Sequence, residues 1–146
     1  MAESEGSAPP LDALLADLRE SLELLGTVEA VVLGVVRVLV VDDDARLGEL
    51  TARGLRRLGM DAEASAGLRP LRAHEVVVFD LGVYGSLNDS DRAALRASRP
   101  VVLTGAVDSA SRALAEDLGA SDYLVKPVFA DALAAAINRR KAEEQQ

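Results

Sequence analysis

The sequence predicts an α/β fold, a doubly wound sandwich in which five parallel strands alternate with helices, preceded by an extra N-terminal helix. Three observations carry this. Four nearly unbroken apolar runs, VRVLVV (36–41), EVVVFD (75–80), PVVLTG (100–105) and DYLVKP (122–127), punctuate the chain. Runs of this kind mark strands buried on both faces. Helically spaced stretches separate them, and such alternation builds a parallel sheet covered on both sides. Finally, the 146 residues are 49% hydrophobic, 27% charged, only 3% aromatic and free of cysteine. One core of Val, Leu and Ala is expected, without disulfide or thiol chemistry.

Taken in order, residues 1–10 are small and polar, end in two prolines, and read as a disordered leader. Residues 11–36 read as a helical extension. Leu11, Leu14, Leu15, Leu18, Leu22 and Leu25 share one stripe, and Gly26 is the natural stop. That stripe fits packing on the chain's own domain and equally a homodimerising or partner-docking helix. Residues 28–36 fit a helix, an edge strand or a longer first strand. After the first strand, 45–59 predicts a helix with Leu47, Leu50, Leu55 and Leu58 on one face, capped by Asp44 and closed by Gly59. A weak strand follows at 60–66, and Pro70 limits any helix over 67–74 to a stub. Further helices are predicted over 90–98, capped by Ser90, over 109–119, closed by Gly119, and over 129–143. The main domain is thus 37–143 and 144–146 a tail. No output domain follows in this sequence, so a stand-alone module is expected.

Charge narrows the function. Residues 1–36 carry a net −6 of the chain's −8, and an acidic head repels phosphate backbones, so nucleic-acid binding is not expected. The longest apolar stretch is broken by Arg37 and falls short of the ~20 residues of a membrane helix. A cytoplasmic protein without a membrane anchor is expected. His74 is the one histidine, which removes paired-histidine catalysis and makes a zinc site unfavourable.

In doubly wound sheets the functional crevice lies beyond the C-terminal strand ends. Here those ends hold Asp42, Asp43 and Asp44, then Asp80, then Thr104-Gly105, then Lys126-Pro127. Crowded carboxylates repel, and a hard divalent cation relieves them; an all-oxygen donor set suits Mg²⁺, with Mn²⁺ also compatible. Lys126 and Thr104 are suited to phosphoryl oxygens, as a point charge and a hydroxyl donor. Together these groups describe phosphoryl transfer onto an aspartate.

The motifs VLVVDD (38–43), FD (79–80), VVLTG (101–105) and GASDYLVKP (119–127) resemble, in order, those of the receiver domain of bacterial two-component response regulators. The resemblance covers about 37–143 and implies the flavodoxin-like receiver fold. It implies that Asp80 is the phosphoacceptor, charged by a sensor histidine kinase or phosphotransfer protein. Asp43 would bind Mg²⁺ directly and Asp42 through water; Asp80 and the Gly82 backbone carbonyl would complete the protein ligands. Thr104 and Lys126 would contact the phosphoryl group. Tyr123 would change rotamer as Thr104 moves, altering the surface offered to a downstream protein partner. Pro127 would hold Lys126 through a cis peptide bond. The protein would be a phosphorylation-dependent signalling receiver and no enzyme beyond its own phosphorylation and dephosphorylation. Two features depart from the family: the stretch from Asp80 to Thr104 is short, with Tyr84 in place of a usual proline, and the second helix is truncated. They favour the alternative of a phosphorylation-independent interaction or dimerisation module. A phosphohydrolase reading is weaker, since the position two after Asp80 is Gly82, which cannot act as a general acid.

Overall fold

The computed structural model describes residues 10–16 and 34–144. Five strands form one sheet: β1 (Arg37–Val41), β2 (Asp61–Ser65), β3 (Glu75–Asp80), β4 (Val101–Thr104) and β5 (Asp122–Val125). All pairings are parallel, in the order β2-β1-β3-β4-β5. The helices are α1 (Ala45–Arg57), α2 (Asp89–Ser98), α3 (Ser109–Asp117) and α4 (Ala130–Glu144), with a 3₁₀ helix over Leu81–Ser86.

Alternation along the strands splits the core in two. Val38, Val40, Val76, Val78, Val101 and Leu103 face α1 and α4, where Leu55, Leu133 and Ile137 close over them. Leu39, Val41, Val77, Phe79 and Val102 face the other way, towards Leu95, Ala115 and Leu118. Phe79 is the largest fully buried side chain among the described residues.

The stripe expected on α1 is corrected. Leu55 is buried, but Leu47, Leu50 and Leu58 are exposed, and the face on the sheet is Gly48, Ala52 and Leu55. Close packing explains the choice. A Cβ at Gly48 would stand 3.4 Å from that of Asp42, and one at Gly54 would stand 3.0 Å from that of Ala130. Small residues let α1 approach both the sheet and α4, and the leucines turn outward.

Pro70 was expected to limit any helix over 67–74 to a stub, and residues 66–74 contain no helix at all. Pro70 withdraws a donor and disfavours helical backbone at Arg69. Leu68 and Leu71 pack on the second core face in the helix's place. Arg69 ties the loop down, donating to both carboxylate oxygens of Glu75 (3.0 and 2.6 Å) and to Glu63 (3.0 Å).

α2 begins one residue earlier than expected, because Asn88 rather than Ser90 is its cap: Asn88 accepts from the Asp91 N–H while Asp91 accepts from the Asn88 N–H, a capping box. Asp44 caps α1 through the Arg46 and Leu47 N–H groups. Residues 11–16 are helical, with Leu11, Leu14 and Leu15 exposed. The rest of the expected leucine helix, and most of the leader, lies outside the described residues. No described helix is long and apolar enough to cross a membrane.

Candidate functional site

Strand order reverses between β1 and β3, so the loops leaving these neighbours diverge and open a crevice at their C-terminal ends. Val41 pairs with Phe79 in register, which brings Asp42, just past β1, level with Asp80, the last residue of β3. Carboxylate oxygens of Asp42, Asp43 and Asp80 all lie within 4.8 Å of one another. Thr104 ends β4 beside Val125 of β5, and the Lys126 N–H donates to the Thr104 carbonyl at 2.7 Å. That bond, with the cis Lys126–Pro127 peptide, accompanies a lysine whose ammonium lies 3.3 Å from Asp80 Oδ2 and 3.5 Å from Asp42 Oδ2.

The three acids differ in setting. Asp42 is buried, Asp43 exposed and Asp80 between the two. Burial holds the Asp42 carboxyl above the ordinary carboxylate range; the Asp44 N–H and the Lys126 ammonium oppose this, and the Asp80 charge adds to it. An acid with a raised folded pKa stabilises the native state at low pH and loses that contribution as pH rises through the folded value. At neutral pH, without a cation, Asp42 therefore disfavours folding. Asp42→Asn keeps an oxygen for the Asp44 N–H and removes the charge. It is expected to stabilise the metal-free protein by about 1 kcal/mol, the scale of relieving one functional compromise. Urea unfolding in EDTA checks this; an unchanged or lowered midpoint contradicts it.

Asp80 also caps the 3₁₀ helix, accepting from the Gly82 N–H at 3.2 Å. A Cβ at Gly82 would lie 3.7 Å from both Asp80 oxygens, so the glycine keeps that side of the carboxylate open. The Thr104 hydroxyl is engaged with its own loop: it accepts from the Ala106 N–H (3.1 Å) and donates to the Ala106 carbonyl (3.3 Å). The same carbonyl accepts from the Tyr123 hydroxyl at 3.2 Å. Two side chains thus share one acceptor. Arg112 of α3 stacks over the Tyr123 ring, 5.0 Å from its centroid, beside a shallow cavity of about 270 Å³ that Glu116 and Asp122 also line. Neither the part played by the Ala106 backbone nor Arg112 was legible in the sequence. Ala106 acts through its backbone, and Arg112 meets Tyr123 only once α3 docks on the sheet.

The donor set fits a hard divalent cation. It is all oxygen, its charges repel one another, and one acid is held above its ordinary range by burial that a cation would offset.

No family model matches the chain. It is 34% identical over 117 residues to the acid tolerance regulatory protein ActR of Sinorhizobium medicae, covering 73% of this chain and 60% of ActR. It is 35% identical over 114 residues to the DNA-binding response regulator MtrA of Mycobacterium tuberculosis H37Rv, covering 71% of this chain and 50% of MtrA. A response regulator of Burkholderia pseudomallei, solved with a phosphorylated aspartic acid, a calcium ion and citrate, superimposes with a TM-score of 0.58 at 26% identity, over 75% of this chain and 71% of that one. The chain carries a response regulator receiver domain. A receiver domain from Clostridium thermocellum shares its fold, with a TM-score of 0.64 at 24% identity over 76% of this chain and 98% of that one. The receiver chain spans only 60% and 50% of the two curated relatives. Receivers are signalling domains of two-component systems rather than classical enzymes, and the acid cluster of this one is consistent with divalent-metal binding.

Proposed function

We propose that this receiver accepts a phosphoryl group on Asp80 from a histidine kinase or phosphotransfer protein, with Mg²⁺ bound, and thereby switches a protein-interaction surface. The observation that carries the reading is Lys126 set 3.3 Å from Asp80, beside the acid cluster that Asp80 shares with Asp42 and Asp43. An Asp80 oxygen attacks the phosphorus of a phosphohistidine. The P–N bond breaks, the imidazole leaves with its electron pair and takes up a proton, and Asp80 becomes an acyl phosphate. Asp42, Asp43, Asp80 and the Gly82 carbonyl would hold the cation. Bound there, Mg²⁺ would neutralise the acids and offset the charge of the phosphoryl oxygens. Lys126 stands ready to pair with an oxygen of the product, and Thr104 reaches it by turning away from Ala106. That turn removes one donor from the carbonyl shared with Tyr123, so the ring under Arg112 is where the switch would meet the surface.

Incubation with Mg²⁺ and acetyl phosphate, read by intact mass, tests this. A single phosphoryl adduct is expected on the wild type and none on Asp80→Asn. A second reading, an interaction module working without phosphorylation, is favoured by one feature: Asp80 is tied as a helix cap while the Thr104 hydroxyl closes on its own loop. Absence of the adduct on a folded wild type would select it.

A further inference from the structure

α1 presents an apolar stripe to solvent. Leu47, Leu50 and Leu58 are 46%, 56% and 51% exposed, and Phe129, at the mouth of α4, is 75% exposed. Between them Gly54 packs against Ala130 of α4, so the stripe runs along the α1–α4 edge. Arg46, Arg53 and Arg57, spaced on one helical row, flank the stripe. Arg56 is paired with Glu49, but Arg46, Arg53 and Arg57 have no acidic partner among the described residues.

The N-terminal segment has the complementary character. Leu11, Leu14, Leu18 and Leu22 repeat the spacing of Leu47, Leu50, Gly54 and Leu58, and Asp12, Asp17, Glu20 and Glu23 surround them with Arg19 as the one base. Its described part, 11–16, is helical and leaves its leucines exposed. The chain joins the body beside the foot of α1, where the Val36 carbonyl accepts from the Asp61 N–H at 2.9 Å. Residues 26–36 reach up to about 36 Å when extended, against about 20 Å for the length of α1. Tethering gives a local concentration in the millimolar range, far above that of a second copy.

We infer that the exposed leucine face of α1 is the docking site of this chain's own acidic leucine segment, residues 11–25, with the Leu22 end towards Leu58 and the acids against Arg46, Arg53 and Arg57. Docking would cover the leucines of the segment together with three leucines that the body leaves in water.

Arg19 makes the test direct, as the one tryptic site in residues 1–36. In the full chain at micromolar concentration, trypsin is expected to cut after Arg19 at least about tenfold more slowly in the wild type than in Leu47→Asp/Leu50→Asp, because cleavage follows the undocked population. Arg53→Ser/Arg57→Ser is expected to raise the rate as well. All four positions are exposed, and circular dichroism confirms that the variants fold. In the cysteine-free background, Leu22→Cys/Leu58→Cys is expected to form an intramolecular disulfide, and Leu22→Cys/Glu116→Cys, across the sheet, is not. Equal cleavage rates in wild type and Leu47→Asp/Leu50→Asp overturn the proposal. So does a disulfide that forms only between chains, or protection that rises with concentration alongside a dimer, since either makes a second copy the occupant.

Discussion

Replacing Lys126 with alanine lowers the rate of Asp80 phosphorylation by acetyl phosphate by roughly 10²–10³-fold, the cost of removing one preorganised charged donor from a transferring group. The ammonium lies 3.3 Å from Asp80 and 3.5 Å from Asp42, so it is the cation already in place where negative charge gathers as the phosphoryl group arrives. Time-resolved intact mass at saturating Mg²⁺ measures the rate. Lys126→Arg separates charge from shape: a guanidinium keeps the charge but spreads it over a planar fork, and recovers only part of the rate. Neither substitution should unfold the protein, because the lysine side chain is 30% exposed and its backbone bond to Thr104 does not depend on it. A rate within about threefold of wild type would remove Lys126 from the chemistry and leave it a counter-charge, worth the modest energy of a part-exposed ion pair.

Arg69→Leu destabilises the domain by about 3 kcal/mol, the low end of the cost of stripping one partner from a buried ion pair. Glu75 is only 2% exposed at its side chain and takes two of its bonds from Arg69. What it keeps is the Arg72 N–H at 3.0 Å, with Arg37 opposite in the β1–β3 register. The loss is large because Arg69 also holds the loop that stands where a helix would cover the second core face. Freed, that loop uncovers Leu68 and Leu71. The Glu75 carboxylate holds the Arg69 guanidinium further above its ordinary value, so Arg69 stays charged across any accessible pH. Urea denaturation reads the effect. Arg69→Leu/Glu75→Leu, which removes the buried charge with its partner, should recover much of the loss. A single-variant loss below about 1 kcal/mol would place the pair among surface bridges of little consequence.

Four of the strands were legible because each is a nearly unbroken apolar run, which leaves little choice of partner, whereas β2, DAEAS, showed only as a weak strand. Their parallel order followed from the alternation with helices. The site was legible for the same reason: Asp42, Asp43, Asp80, Thr104 and Lys126 are defined by being strand-end residues, so naming the strands names the cluster. The family motifs then attached expected roles to it.

Other features were not legible, for reasons that are local in the chain but settled in space. On α1 two faces compete, one of leucines and one of Gly48, Ala52 and Leu55. Periodicity prefers the leucines, whereas close approach to Asp42, Ala64 and Ala130 needs the small residues, and packing density decides. Helix starts shift with whichever side chain reaches the free N–H groups first, as Asn88 does ahead of Ser90. The Arg69–Glu75 tie and the Arg112–Tyr123 stack join residues whose pairing no spacing rule anticipates. The sequence by itself determined the strand order's raw material, the acid edge and the absence of thiol chemistry, because composition and apolar runs act locally. Which face of α1 is buried, what replaces the missing helix, and the shared Ala106 carbonyl were decided only by tertiary structure, because each depends on the distance between segments far apart in the chain.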